Sequence, residues 1–187
     1  MKNIFKKAIK VLNDSEKVII SRYDEYYIIT NSYIALKVAP LFYDAYFRTE
    51  KPYFVELESG ECWISYKYER KHSIGSNMNF VDIDYCFKPN EVVSVKRTPY
   101  KKAAQCITAK NQMGMVDLFT ANDFISGLDS KFVEAFDDIF DESIELKGSG
   151  KFAPIIWEAD NASGVILPVR IEITEVEDTI IKMFRAA

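Results

Sequence analysis

One histidine and three cysteines among 187 residues leave little material for metal or redox chemistry. His72, within Arg70-Lys71-His72-Ser73, has no second histidine to complete a zinc-ligand pair, and a loop imidazole of this kind is ordinarily solvated. Cys62, Cys86 and Cys106 are odd in number and widely spaced, so they suggest neither a disulfide framework nor a zinc site. They read as reduced thiols, which points to the cytoplasm. Apolar runs fall short of the ~20 residues needed to cross a bilayer, so no membrane partner is expected. The start, Met1 to Lys7, is basic but lacks the apolar stretch of a secretory signal. No Pro/Gly/Ser-rich linker or low-complexity segment divides the chain. A single enlarged domain over 1–175 is expected, with 176–187 as a helical C-terminal tail. An excess of positive charge is missing too: the net charge is −4, so nothing draws the whole chain to nucleic acid.

Core-forming residues, by contrast, are plentiful. Hydrophobic residues make up 48% of the chain, with thirteen Phe and eleven Tyr, enough for an ordered core. Phe5, Ala8, Ile9 and Leu12 recur at helical spacing and predict an amphipathic first helix near 3–13. Short strands are expected at 18–21, 26–30 and 33–38, then a helix at 41–48 after Pro40. Further strands are expected at 53–57, 62–68, 80–87, 92–96, 103–109 and 113–119. Phe132, Val133, Phe136, Ile139 and Phe140 predict a second amphipathic helix over 130–141, capped by Asp129 or Ser130. Strands at 143–146, 153–158 and 165–173 follow, the last with Val165, Leu167, Val169, Ile171 and Ile173 on one face. Residues 1–38 and 130–173 thus share a helix-then-three-strands layout. The expected fold is α+β, an antiparallel sheet with both amphipathic helices packed on one face.

Residues 127–171, GLDSKFVEAFDDIFDESIELKGSGKFAPIIWEADNASGVILPVRI, resemble the end of the bacterial sliding clamp, the β subunit of replicative DNA polymerase. In that family an Asn/Asp-x-Lys-Tyr/Phe-Leu helix precedes a strand, a proline-containing strand, an acidic turn and a closing Met-Pro-x-Arg strand. Here Asp129, Lys131, Phe132 and Val133 match the helix, Pro154 the middle strand, and Leu167-Pro168-Val169-Arg170 the closing strand. The resemblance implies a DNA-clamp-like fold of bacterial or phage origin. It also implies a non-enzymatic accessory factor in DNA metabolism that needs no cofactor. Double-stranded DNA, peptide motifs of DNA-metabolism proteins and further copies of the chain are the implied partners. Leu167, Pro168, Val169 and Arg170 would border a pocket for short peptides. Physical chemistry permits that reading, since proline is tolerated at a strand edge or end and arginine can hold a carboxylate. A plain edge strand with a solvated arginine is the ordinary alternative.

Two basic patches are candidates for phosphate contact. Lys2, Lys6, Lys7 and Lys10 share the polar face of the first helix. Lys96, Arg97, Lys101 and Lys102, with Tyr100 among them, form a loop-like run that could meet phosphates and stack a base, or serve only as a solvated hairpin turn. Glu134, Asp137, Asp138, Asp141 and Glu142 make the second helix acidic, which favours a protein-interaction module that kept the clamp fold without encircling DNA. A carboxylate-metal enzyme is a third reading, resting on Asp82 and Asp84. Gly148-Ser149-Gly150-Lys151 lacks the full phosphate-loop pattern and reads as a hairpin turn. In the tail, acids at 175–178 precede Ile180, Ile181 and Phe184, with Lys182 and Arg185 late, a charge order that suits a helix dipole. Its apolar face must either complete the core or fold back near Leu167–Arg170.

Overall fold

The computed structural model describes residues 5–48, 56–67, 72–76, 84–88, 91–105, 113–121, 123–139, 144–175, 177–179 and 181, with only the backbone described at 72–76, 84–85 and 105. Helix α1 (Lys6–Asp14) leads into β1 (Lys17–Arg22), β2 (Tyr27–Thr30) and β3 (Ile34–Val38). A short helix α2 (Pro40–Phe42) widens into a π-type turn over Tyr43–Phe47, where the sequence predicts a helix. Strands β4 (Glu61–Tyr66) and β5 (His72–Ser76), a 3-10 turn (Asp84–Phe87) and β6 (Val93–Ser94) follow. Then come β7 (Lys96–Gln105), β8 (Met113–Thr120), β9 (Ile125–Asp129), α3 (Ser130–Glu134), β10 (Leu146–Gly148), β11 (Ile155–Ala159) and β12 (Ala162–Ile166).

Among the described residues these strands make a nine-stranded sheet, ordered β5-β4-β1-β2-β3-β12-β11-β10-β6, and a three-stranded sheet, β7-β8-β9. All the pairings are antiparallel. The two helix-then-strands units meet edge to edge where β3 pairs with β12, Leu36 opposite Gly164. Both helices lie on the same side of that joined sheet. Phe5, Ala8, Ile9 and Leu12 of the first unit share one core with Phe132, Val133 and Phe136 of the second, above Ile20, Ile29, Leu36, Trp157 and Ile166. The α+β architecture with two helices on one face is therefore present as the sequence implied. On the opposite side of the sheet a smaller cluster, Ile28, Ala35, Ile156, Val165 and Phe87, buries the other face. Strands covered on both sides carry near-continuous apolar runs, which is why β2 reads Tyr27-Ile28-Ile29 with all three buried.

Local chemistry sets the corners. Asn31 Oδ1 accepts from the N–H groups of Tyr33 and Ile34, closing the β2–β3 turn, with Ser32 at a positive φ of 74°. Asn31 Nδ2 donates to Ser15 Oγ at 2.8 Å, fastening that turn to the end of α1. Asp129 is the α3 cap, accepting from the Lys131 N–H at 2.9 Å.

Four expectations are corrected. The second helix is regular only through Glu134 and continues as turns to Ile139, although Phe132, Val133, Phe136 and Ile139 are all buried as expected. Asp84–Phe87 is a 3-10 turn, where a strand was expected. Lys96 to Lys102 is no loop or hairpin turn: it lies inside β7. The closing strand ends at Ile166. Leu167 still bonds the Tyr33 carbonyl, whereas Val169 bonds Gly127 of β9, so the chain changes sheets at Pro168. Expectations at 49–55, 68–71, 77–83, 106–112, 140–143 and 182–187 lie outside the described residues.

Candidate nucleic-acid and peptide-binding surfaces

The face of α1 opposite the core presents Lys6, Lys7 and Lys10 to solvent; Lys2 lies outside the described residues. Lys7 meets Asp138 at 3.2 Å. Among the described residues no carboxylate pairs with Lys6 or Lys10. The end of α3 and the turns after it carry the acidic counterpart: Glu134, Asp137 and Asp138 lie within ion-pair distance of Lys101, Arg97 and Lys7.

The second basic run is built around a carboxylate that sequence reasoning missed. Asp117 of β8 is 1% exposed. Its Oδ1 accepts from Arg97 Nε at 2.9 Å and Nη2 at 2.6 Å, its Oδ2 accepts from the Ser130 hydroxyl, and Lys101 Nζ stands at 3.3 Å. Burial alone pushes this carboxyl up, but the Ser130 hydroxyl, Arg97 and Lys101 outweigh it, and the net shift is below the ordinary aspartate value. A bulge between Arg97 and Lys101 makes the arrangement: Arg97 faces Phe119 and Lys101 faces Asp117 across the ladder. Without it the two cations would stand four positions apart on the partner strand; with it they flank one acid. Pro99, which has no N–H to give to a ladder, sits inside the bulge. Thr98 Oγ1 donates to the Leu118 carbonyl at 2.8 Å there. That proline between cations, opposite an aspartate in an apolar strand, was the available signal.

Lys102 points to the other side of the sheet, where its Nζ meets Glu177 Oε2 at 2.8 Å. Lys96 is exposed and makes no ion pair among the described residues. Of the eight predicted phosphate contacts, then, Lys7, Arg97, Lys101 and Lys102 are engaged with carboxylates, Lys6, Lys10 and Lys96 make no ion pair among the described residues, and Lys2 lies outside them.

The segment predicted to border a peptide pocket is split by burial. Leu167 is 39% exposed, Pro168 half-buried, Val169 buried and Arg170 exposed. The N–H groups of Leu167 and Val169 donate to Tyr33 and Gly127, one in each sheet, and the residue between them needs no donor. A proline fits there at no cost in hydrogen bonds. An open groove of about 590 Å³ exists elsewhere, lined by Tyr26, Lys37, Phe87, Glu158 and Ser163 among others, and Leu167–Arg170 do not line it. Lys37 Nζ stands 3.9 Å from the centre of the Tyr26 ring in that groove.

Among the described residues no group of three or more His, Cys, Asp or Glu side chains is placed to hold a metal. Asp82 and the side chains of Asp84 and His72 lie outside the description. No described helix is long and apolar enough to cross a membrane.

No protein-family model matches the chain, and no curated protein matches it. Solved structures do. The β subunit of DNA polymerase III from Borrelia burgdorferi, solved in complex with a natural product, matches at 14% identity and a TM-score of 0.43, over 92% of this chain and 62% of that one. The β chain from Streptococcus pneumoniae matches at 12% identity and a TM-score of 0.37, over 94% of this chain and 63% of that one. The β subunit from Streptococcus pyogenes gives 12% and 0.35, over 92% and 61%. This chain is in part similar to the sliding clamps, and it spans under two thirds of the length of those it matches.

Proposed function

We propose that this protein is a non-enzymatic, clamp-like accessory factor in DNA metabolism that binds duplex DNA, partner proteins, or both. One observation carries the reading: two helix-then-strands units joined through β3 and β12, with α1 presenting Lys6, Lys7 and Lys10 outward from the shared core. Such a row of cations neutralises phosphate without reading sequence. The test is fluorescence anisotropy with a labelled random duplex across a salt series. If four phosphates are neutralised, log K should fall against log salt with a slope of about −3 to −4. Replacing Lys2, Lys6, Lys7 and Lys10 by Glu should abolish binding. Replacing Lys101 and Lys102 should matter less, because Asp117 and Glu177 already hold them. Unchanged binding in the quadruple variant sinks the α1 surface.

A second reading is a protein-interaction module that kept the clamp layout without encircling DNA. The acids beside α3 favour it, since Glu134, Asp137 and Asp138 lie where they neutralise cations and repel phosphate. Absence of duplex binding at low salt supports this module. Sedimentation separates the two readings as well. A ring built from one clamp-like domain per chain needs six copies, whereas the module runs as a monomer or dimer.

A further inference from the structure

The two basic patches lie far apart in the chain, yet one short stretch reaches both. Asp138 stands 3.2 Å from Lys7 of α1, Asp137 3.0 Å from Arg97 of β7, and Glu134 3.7 Å from Lys101 of β7. Phe136 and Ile139 anchor that stretch: both are buried, and the Ile139 N–H donates to the Phe136 carbonyl at 2.8 Å. The carboxylates are thus held at fixed places beside the cations. The three pairs differ in what the acid contributes. Arg97 and Lys101 already share Asp117, so Asp137 and Glu134 bring a further anion to a site that has one. Among the described residues, Asp138 is the carboxylate that Lys7 meets. The Lys7 side chain is 49% exposed and stands in the same solvent-facing row as Lys6 and Lys10, whereas Asp138 is 22% exposed. A phosphate gains little from an ammonium whose charge a carboxylate already cancels. The row on α1 therefore offers a duplex one cation fewer than its lysines suggest.

We propose that Asp138 is a built-in counterion that withholds Lys7 from duplex DNA and so limits both the affinity and the salt dependence of the α1 surface. The inference rests on the DNA-binding reading above and adds the residue that restrains it. Electrostatics sets the size of the effect. An exposed pair of this kind is worth at most about fivefold in an equilibrium constant. Removing the Asp138 charge should tighten duplex binding by about three- to fivefold at low salt. It should also steepen the slope of log K against log salt by about 0.9, the increment for one further phosphate. Asp138→Asn is the suitable change, because it keeps the shape and the hydrogen-bonding oxygen while removing the charge. Glu134 and Asp137 play a smaller part, since Asp117 stays beside Arg97 and Lys101 when either is neutralised.

The test is fluorescence anisotropy on the full chain, with a labelled random duplex across a salt series. Lys7→Gln should change wild-type binding by less than about twofold, yet in the Asp138→Asn background it should remove the whole gain. Glu158→Gln is the control. Glu158 shares the face of Ile156, away from both helices, so this variant makes the same change of net charge on the far side of the sheet. It should leave affinity and slope alone. If wild type binds and Asp138→Asn matches it in both, the counterion is overturned and the DNA reading stands. Equal tightening by Glu158→Gln, or a gain that survives Lys7→Gln, shows a net-charge effect and overturns it too. Binding by Asp138→Asn but not by wild type supports the counterion and sinks the DNA reading for the wild-type surface. If neither binds, both fall. Should Asp138→Asn fail to fold, Lys7→Gln decides alone. An unchanged slope supports the counterion, whereas a slope shallower by about 0.9 shows that Lys7 already meets phosphate and overturns it.

Discussion

Gly164 stands opposite Trp157 in the β11–β12 ladder because no larger residue fits beneath that ring. A Cβ there would lie 2.2 Å from Trp157 Cε2 and Nε1, and Trp157 is itself buried among Phe136 and its neighbours, so the ring has no room to retreat. Gly164→Ala should destabilise the fold by about 3 kcal/mol in urea unfolding. Gly150, in the β10–β11 turn, has nothing within 4 Å of such a Cβ, and Gly150→Ala should stay within about 0.5 kcal/mol. Asp117 is the other residue whose loss is felt beyond its own volume. Removing it leaves Arg97 and Lys101 facing each other across the bulge without their shared acid. Because both cations keep contact with water, Asp117→Ala should cost about 3 kcal/mol, the low end for a broken buried pair. Asp137→Ala, which removes only the exposed partner of Arg97, should cost about 1 kcal/mol or less in the same assay.

Side-chain caps hold the start of α3 and the Thr174–Glu177 turn, whereas α1 has no such cap and is held by its buried face. The segment Thr174–Glu177 illustrates how acid should act on this protein. Glu177 is held down to about 2, first by the Lys102 ammonium and then by the Thr174 N–H. A carboxyl depressed in the folded state contributes stability above its unfolded value and loses it as pH falls through the folded one. The Lys102–Glu177 contact should therefore be fully present above about pH 4.5 and fade between there and about pH 2. Carboxyl-detected NMR should place the Glu177 midpoint near 2 in wild type. Lys102→Gln should move that midpoint back toward the ordinary glutamate range. A midpoint that ignores Lys102 would show that the pair does not form in solution. Asp117 shifts in the same direction, so acid loosens the β7–β8 contact with α3 as well.

At the scale of the whole molecule, periodicity and tertiary contact divided the work. The spacing of Phe5, Ala8, Ile9 and Leu12, and of Phe132, Val133 and Phe136, was enough to place both helices and their buried faces, because a helix that buries one side writes that side at 3.6-residue intervals. The three short strands after α1 and the Asp129 cap were legible for a similar reason: alternation and capping are local. The length of the second helix, the strand nature of Lys96–Lys102 and the end of the closing strand were not. Each depends on a partner far along the chain. Arg97 and Lys101 sit in a strand because Asp117 opposes them, and Val169 and Ile171 leave the larger sheet because Val116, Leu118 and Ile125 offer a second apolar face. A run of alternating apolar residues records that a strand is buried, and says nothing about which sheet receives each half. By itself the sequence determined which residues face inward. Only the folded chain decided which cations keep their charge for a ligand, since a carboxylate brought close in space neutralises a lysine as surely as a phosphate does.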